Sequence, residues 1–357
     1  MKAARFHARR DVRVEEVAPP PDDLGPHEVL VRNRLCGICG TDLHEYAHGP
    51  IFVPQSPHPF SGAQLPQILG HEFGGVVVAV GSDVRDTSPG DRVAIQPHMA
   101  PPDDYYVRRG LTQLSEQLAI VGLSAAWGGF ADYAVVNDYN AVPIPDGVTD
   151  EQAALIEPAA VALHAVERGG VRPGDSVLVV GAGPIGQLQV MAARAAGATL
   201  IFLADINDSR LVLARTILGD IHTVNPLRED LLEILRDLTV GHIGVDVAFE
   251  CVGQGRALGS CIAAVRPQGV VVQVGLHVGP AEIDAYAITR KDIDLRGSWC
   301  YSTLMWPRVA AIFASGIMQP ELMVTKRVTL DEIVQDGFEA LLDPAGDQLK
   351  ILVEAGV

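Results

Sequence analysis

Cysteine is scarce in this chain: Cys36, Cys39, Cys251, Cys261 and Cys300 are the whole supply in 357 residues. Five cysteines in a chain of this length form no disulfide framework. The expected setting is a reducing compartment, the cytoplasm, with cysteine used as ligand or core filler. No second C-x-x-C accompanies Cys36 to Cys39, which excludes a zinc ribbon. Basic charge is outweighed, 27 Lys and Arg against 44 Asp and Glu, and the net charge of −17 argues against nucleic acid or an anionic membrane as a partner. No apolar run approaches the roughly 18 residues a membrane span needs. The first residues, MKAARFHARRDVRVEE, have no apolar stretch, so no secretion signal is expected. Aromatic residues make up only 5%, which leaves few candidates for the apolar walls of a pocket. Internal repeats and low-complexity tracts are absent.

What is present is a normal globular balance, 48% hydrophobic and 20% charged, enough to fill about two cores at this length. The most informative stretch is Val177 to Asp205, VLVVGAGPIGQLQVMAARAAGATLIFLAD. An apolar, β-branched run leads into Gly181, Gly183 and Gly186 in G-x-G-x-x-G spacing. An Ala-rich helical segment and a second apolar run ending on Asp205 follow. Strand, glycine turn, helix, strand and acid in that order make a dinucleotide-binding βαβ unit. Gly181 permits a tight turn, Gly183 lets a pyrophosphate approach the backbone, and Gly186 lets the helix lie on the sheet. Pro184 and Ile185 open the helix whose free N–H groups face the phosphates. Asp205 is placed to accept hydrogen bonds from ribose hydroxyls, which favours NAD over NADP. Arg210, the nearby cation, joins the expected cofactor-binding set. The bland alternative is an ordinary βαβ unit with a glycine turn.

Residues before about 95 read as β-rich, with strands at Val12–Val14, Val29–Val31, Phe73–Val80 and Arg92–Ile95. Thr149-Asp150-Glu151-Gln152 caps a helix running towards Glu167, which Pro158 should kink or interrupt. Strands then alternate with helices, the pattern of a parallel sheet covered on both faces. The expected organisation is a β-rich domain over residues 1–148, a doubly wound α/β domain over 149–292, and a return segment over 293–357 that completes the first domain.

A second chemical centre lies in the first domain. Cys36-Gly37-Ile38-Cys39-Gly40-Thr41-Asp42-Leu43-His44 is followed by Gly70-His71-Glu72. Spacing alone leaves two readings open, a zinc site or buried core residues.

Longer motifs add a resemblance. CGICGTDLHEY at 36–46, GHEFGG at 70–75, GDRVA at 90–94, ALIEPAAVALHAV at 154–166 and VGAGPIGQL at 180–188 resemble, from end to end and in order, the zinc-dependent medium-chain alcohol and polyol dehydrogenases. GPIFVP at 49–54, His58-Pro59, GGFADY at 128–133 and RGSWCY at 296–301 are similar to the butanediol dehydrogenase branch. Sorbitol and xylitol dehydrogenases share less of the GPIF segment. The resemblance implies a GroES-like catalytic domain joined to a Rossmann-type domain, one catalytic zinc and NAD. It implies a secondary alcohol or vicinal diol as substrate, with 2,3-butanediol and acetoin foremost and a polyol as the alternative. It also implies a homodimer or homotetramer.

Carried over residue by residue, the resemblance makes Cys39, His71 and Glu157 the zinc ligands, with Glu72 a movable or supporting carboxylate. Neighbours on a strand face opposite ways, so His71 and Glu72 should need local distortion to share one metal. Thr41 would hold the substrate oxygen, His44 would pass its proton to solvent, and Lys350 would lie near the cofactor pyrophosphate. Phe52, Phe60, Trp299 and Tyr301 are candidate pocket walls. One departure stands out. Many relatives bind a second, structural zinc through four cysteines, and the corresponding positions here are Pro101, Asp104, Val107 and Ser115. No structural zinc is expected, and that lobe should instead be held by packing through Tyr105, Tyr106 and Leu111.

Overall fold

The computed structural model describes residues 1–21, 23–343 and 346–356. The chain opens with β1 (Lys2–Ala8), β2 (Asp11–Glu16) and β3 (Glu28–Gly37), then the helix α1 (Gly40–His48). The strands β4 (Gln67–Ile68), β5 (Glu72–Val80), β6 (Arg92–Ile95), β7 (His98–Met99), β8 (Ala119–Ile120), β9 (Tyr133–Asn137) and β10 (Ala141–Pro143) follow. From α2 (Asp150–Gly169) the pattern alternates: β11 (Ser176–Val180), α3 (Pro184–Ala195), β12 (Leu200–Ala204), α4 (Asp208–Leu218), β13 (His222–Val224), α5 (Leu231–Leu238), β14 (Val245–Glu250), α6 (Gly255–Ala264), β15 (Val265–Gln273), α7 (Ala285–Lys291) and β16 (Asp294–Gly297). The chain closes with α8 (Trp306–Ala314), β17 (Val324–Thr329), a π-helical turn over Ile333–Glu339 and β18 (Lys350–Glu354).

Two compact units result, Met1–Glu157 with Ser302–Val357, and Pro158–Tyr301. In the first unit the main sheet runs β10-β6-β5-β3-β18-β17, with β9 also pairing β3. Alternate residues of β3 turn inward, so Val29, Val31 and Asn33 are buried. Val29 and Val31 meet Phe73, Val77, Val93, Ile95, Ile351 and Val353 in one core. The sequence's last strand is therefore central: β18 pairs antiparallel with β3 and parallel with β17.

The second unit is a six-stranded sheet in the order β13-β12-β11-β14-β15-β16, and every pairing in it is parallel. β11 and β12 each carry four consecutive buried residues, because a parallel sheet is covered on both faces. This is the expected doubly wound α/β architecture. β16 extends that sheet past residue 292, so the return to the first unit begins at Ser302 rather than at 293. The helix α2 also runs on through Pro158 without a break. A proline in a helix interior costs about 3 kcal/mol. Burial of Leu155, Ile156, Ala159 and Ala160 around it offsets that loss. At its start, the Thr149 hydroxyl accepts from the Gln152 N–H at 3.1 Å and the Gln152 side chain accepts from the Thr149 N–H at 3.0 Å, a reciprocal cap. Among the described residues no helix is long and apolar enough to cross a membrane.

Candidate active site

Three of the four metal-ligand candidates, Cys39, His71 and Glu72, meet where β3 passes into α1. Ile38 still pairs with β18, its N–H donating to the Ile351 carbonyl at 3.0 Å. Cys39 then turns extended, at φ −90° and ψ 155°, to cap α1. Its N–H donates to Asp42 Oδ2 at 2.9 Å. The other Asp42 oxygen accepts from the Gly70 N–H at 3.4 Å and faces His71 Nδ1 at 3.5 Å, an ion-pair distance rather than a well-formed hydrogen bond. Fully buried Asp42 thus joins the cap of α1 to the Gly70-His71 turn. Sequence reasoning gave Asp42 no role, although its place three residues after the cap was a usable signal.

Cys39 Sγ, a His71 ring nitrogen and a Glu72 oxygen lie within 4.8 Å of one another. The strand β5 begins at Glu72, and Gly70 is left-handed at φ +93°. His71 is therefore outside the strand's alternation, which supplies the distortion the two neighbours need. Glu157 is 8% exposed on the first half of α2, and its carboxylate is not among the atoms of that trio. Lys350 is 2% exposed; its ammonium is paired with Glu72 Oε2 and donates to the Ile38 carbonyl at 2.9 Å. The expectation put this lysine beside a cofactor pyrophosphate, whereas its ammonium is committed to the Glu72 carboxylate inside the first unit. A Cβ at Gly37 would overlap that carboxylate and come 3.0 Å from Lys350 Cε, so the pair requires glycine there. The Thr41 hydroxyl lies 3.7 Å from Cys39 Sγ, and His44, three residues further along α1, is exposed.

The charges of this cluster are coupled. Burial disfavours a charged His71, yet the Asp42 carboxylate and the Cys39 sulfur beside it hold its pKa well above the ordinary value. Burial and the Glu72 carboxylate raise the Cys39 thiol. For Lys350, burial is outweighed by Glu72 and Cys39, and its pKa rises. A largely buried set offering sulfur, imidazole nitrogen and carboxylate oxygen, with Cys39 partly exposed, fits a zinc ion, whose positive charge would favour thiolate and neutral imidazole.

The glycine turn lies in the second unit. Gly181 is left-handed at φ +108°, and its N–H donates to the Ala204 carbonyl at 2.8 Å. A Cβ at Gly186 would overlap the Gly181 carbonyl, so helix and turn touch there. Gly183, the N-cap of α3, has open space where a Cβ would be, and Pro184 fills the first helical position. Gly183, Pro184 and Ile185 are partly exposed. Asp205 Oδ2 accepts from the Ala182 N–H at 2.7 Å, and Oδ1 from the Asn207 N–H at 2.8 Å. The acid is therefore fixed against the turn it serves. Arg210 is exposed on α4, and its N–H donates to the Asn207 side chain at 3.2 Å. Open backbone at Gly183, a helix N-terminus and a fixed acid fit a dinucleotide.

The lobe without cysteines departs from its expected support. Tyr105 is 62% and Tyr106 38% exposed, and Tyr105 stacks under the Arg109 guanidinium at 3.6 Å. What closes the lobe is Asp104. It accepts from the N–H groups of Tyr106 and Val107 at 2.7 and 3.3 Å and from the Ser115 hydroxyl at 3.0 Å. Two of the four positions that hold cysteine in many relatives are thus bonded directly to each other.

Residues 25–146 match the alcohol dehydrogenase GroES-like domain, and residues 184–315 match zinc-binding dehydrogenase. The chain belongs to the family of zinc-dependent alcohol dehydrogenases, and is an oxidoreductase working with zinc and NAD. It is 38% identical over 354 residues to the (R,R)-butanediol dehydrogenase of Bacillus subtilis (strain 168), covering 99% of each chain. It is 33% identical over 352 residues to the sorbitol dehydrogenase of Homo sapiens, covering 98% of this chain and 94% of that one. The crystal structure of 2R,3R-butanediol dehydrogenase from Bacillus subtilis superposes with a TM-score of 0.92 at 37% identity, over 99% of both chains.

Proposed function

We propose that this enzyme interconverts 2,3-butanediol and acetoin with NAD(H), acting on an R-configured carbinol. The observation that carries the chemistry is the convergence of Cys39, His71 and Glu72 within 4.8 Å, with His71 and Glu72 buried and Cys39 partly exposed. The substrate follows from the relatives named (R,R)-butanediol dehydrogenase, at 38% and 36% identity. Cys39, His71 and Glu157 would hold the zinc, with Glu72 available when Lys350 releases it. Bound zinc would supply Lewis acidity that brings an alcohol's pKa towards neutrality, and bound NAD would supply the hydride acceptor. The chain's own residues do the rest. Thr41 Oγ1, 3.7 Å from Cys39 Sγ, would accept the alcohol's proton while passing its own hydroxyl proton on through the cofactor ribose, and exposed His44 would deliver a proton to solvent. Gly181, Gly183, Pro184, Ile185 and Gly186 cradle the pyrophosphate, Asp205 binds the adenosine ribose, and Arg210 flanks it.

Half-buried Phe52 and Phe60 suit the methyl groups of a short diol. Tyr301, expected as a pocket wall, is instead fully buried, and Trp299 is 37% exposed. The sorbitol dehydrogenase of Bacillus subtilis, 34% identical, supports a polyol as the second reading. The free cysteines support a cytoplasmic protein. We also propose a homodimer or homotetramer, which a light-scattering mass would test. The deciding experiment compares kcat/KM for 2,3-butanediol, sorbitol and xylitol with NAD on the zinc-loaded protein. Butanediol should lead; sorbitol or xylitol ahead of it would give the polyol reading the place.

A further inference from the structure

We propose that Glu250, with His277, is a positioning residue for dinucleotide binding, an inference that rests on the NAD reading above. In the parallel sheet Val180, Glu250 and Gln273 are partners in register, the last residues of three adjacent strands. The loops that leave them follow the carboxyl edge of the sheet, where ligands bind in doubly wound folds. The first of these loops is the glycine turn, and the other two have no assigned part in binding.

The Glu250 side chain is completely buried, so it touches no ligand itself. Its Oε1 accepts from the Val252 and Gly253 N–H groups at 2.8 and 2.7 Å. Its Oε2 faces His277 Nε2 at 3.2 Å. One carboxylate therefore ties the loop after β14 to the loop after β15. The main chain repeats the link, with Val274 and Gly275 N–H groups donating to the Glu250 carbonyl at 2.9 Å each. The first loop in turn braces the glycine turn. The Cys251 N–H donates to the Val180 carbonyl at 2.9 Å, and a Cβ at Gly181 would come within 2.9 Å of Val252 Cγ2.

Space is tight throughout. A Cβ at Gly275 would overlap the Gly253 backbone and sit 2.8 Å from Glu250 Oε2, and one at Gly253 would overlap the Leu276 carbonyl. Gly253 is also left-handed at φ +80°. A contact this close, fixed by a buried acceptor, makes the three loops one framed edge rather than three separate segments. Cutting the strut should let the β15 loop drift from the turn and weaken the dinucleotide first.

The test is a fluorescence titration of the zinc-loaded protein with NADH. His277→Leu keeps the bulk of a side chain that is 11% exposed and removes the strut. It should raise the NADH Kd about tenfold, the scale of one lost buried hydrogen bond. Glu250→Ala should raise it further. Glu250→Gln should fall between wild type and Glu250→Ala, since its amide oxygen still accepts from Val252 and Gly253. Zinc content, and the KM for butanediol at saturating NAD, should not move. If folded His277→Leu and Glu250→Gln bind NADH as wild type does, whatever happens to their melting temperatures, the pair is merely structural and the inference falls. Wild type that binds no NADH would instead overturn the cofactor reading beneath it.

Discussion

His98 shows how much a single buried side chain can set the conditions under which this protein stays folded. Burial, with the nearby His71 charge second, pushes its pKa down from 6.5 to about 3. The side chain is 1% exposed, and its backbone carbonyl accepts from the buried Asn140 amide at 3.1 Å. A histidine whose folded pKa lies below its unfolded value is kept neutral by folding, and protons favour the unfolded chain. Its contribution is therefore complete above about pH 6.5 and is lost as pH falls towards 3, by about 1.4 kcal/mol per unit. Between about pH 6.5 and pH 5, wild type should lose roughly 2 kcal/mol more stability than His98→Gln, read from urea midpoints. Parallel pH profiles for the two proteins would remove His98 from the acid response. Cys39 makes the complementary case at the zinc. Cys39→Ser should abolish metal retention and turnover while NADH titration still gives a measurable Kd, because the glycine turn belongs to the other unit. Joint loss of metal and NADH binding would mean that Cys39 supports the fold rather than a site.

At the scale of elements, the helix α1 does more than present Cys39, Thr41 and His44. Glu45, also on α1, is completely buried, and its carboxylate accepts from the N–H groups of Ile51 at 2.9 Å, Phe52 by a short bond and Val53 at 3.3 Å. The helix and the segment after it are one piece. Glu45→Ala would strand up to three backbone donors, at about 1–3 kcal/mol for each left unsatisfied. Denaturant midpoints should show a loss of about 2–4 kcal/mol, and the KM for butanediol should rise with the segment's freedom. An unchanged KM would separate residues 50–53 from the substrate. Such links also show where the sequence was legible. The turn at Gly181–Gly186 could be read because its logic is local, strand to turn to helix within a few residues. The Thr149 cap could be read for the same reason. The place of β18 between β3 and β17 could not, since it joins residues some three hundred apart in the chain. The pairing of Lys350 with Glu72 is hidden for the same reason: β18 and β5 lie on either side of β3, and only the folded sheet brings the two residues together. The lobe at 101–115 was misjudged for a different reason. The missing cysteines suggested packing by Tyr105, Tyr106 and Leu111, but a short acid able to take three donors closes the loop while both rings stay exposed.

For the whole molecule, the division into two units sets what each cofactor depends on. The metal trio lies in the unit containing Met1, and the glycine turn in the other. Pro101 and Val107 offer no side-chain ligand atom, and Asp104 and Ser115 are bonded to each other, so a second zinc has no four-coordinate set in the lobe. Elemental analysis should give one zinc per chain, and a ratio near two would defeat that argument. Cofactor choice is decided in the other unit. Asp205 closes β12 with both oxygens occupied by backbone donors, which fixes its carboxylate at the turn. A 2′-phosphate placed about 4 Å away would be repelled by roughly 4 kcal/mol at an effective dielectric of about 20. NAD should therefore exceed NADP in kcat/KM, and equal or better efficiency with NADP would reject the assignment. The structure sharpens the choice of variant. Asp205→Gly removes the repulsion but also orphans the Ala182 and Asn207 N–H groups, so it should narrow the NAD–NADP gap while weakening both cofactors. Asp205→Asn keeps an acceptor for one of those donors and loses the charge. It should narrow the gap at a smaller loss of NAD efficiency, and a gap that stays as wide as in wild type would show that the charge of Asp205 is not what discriminates.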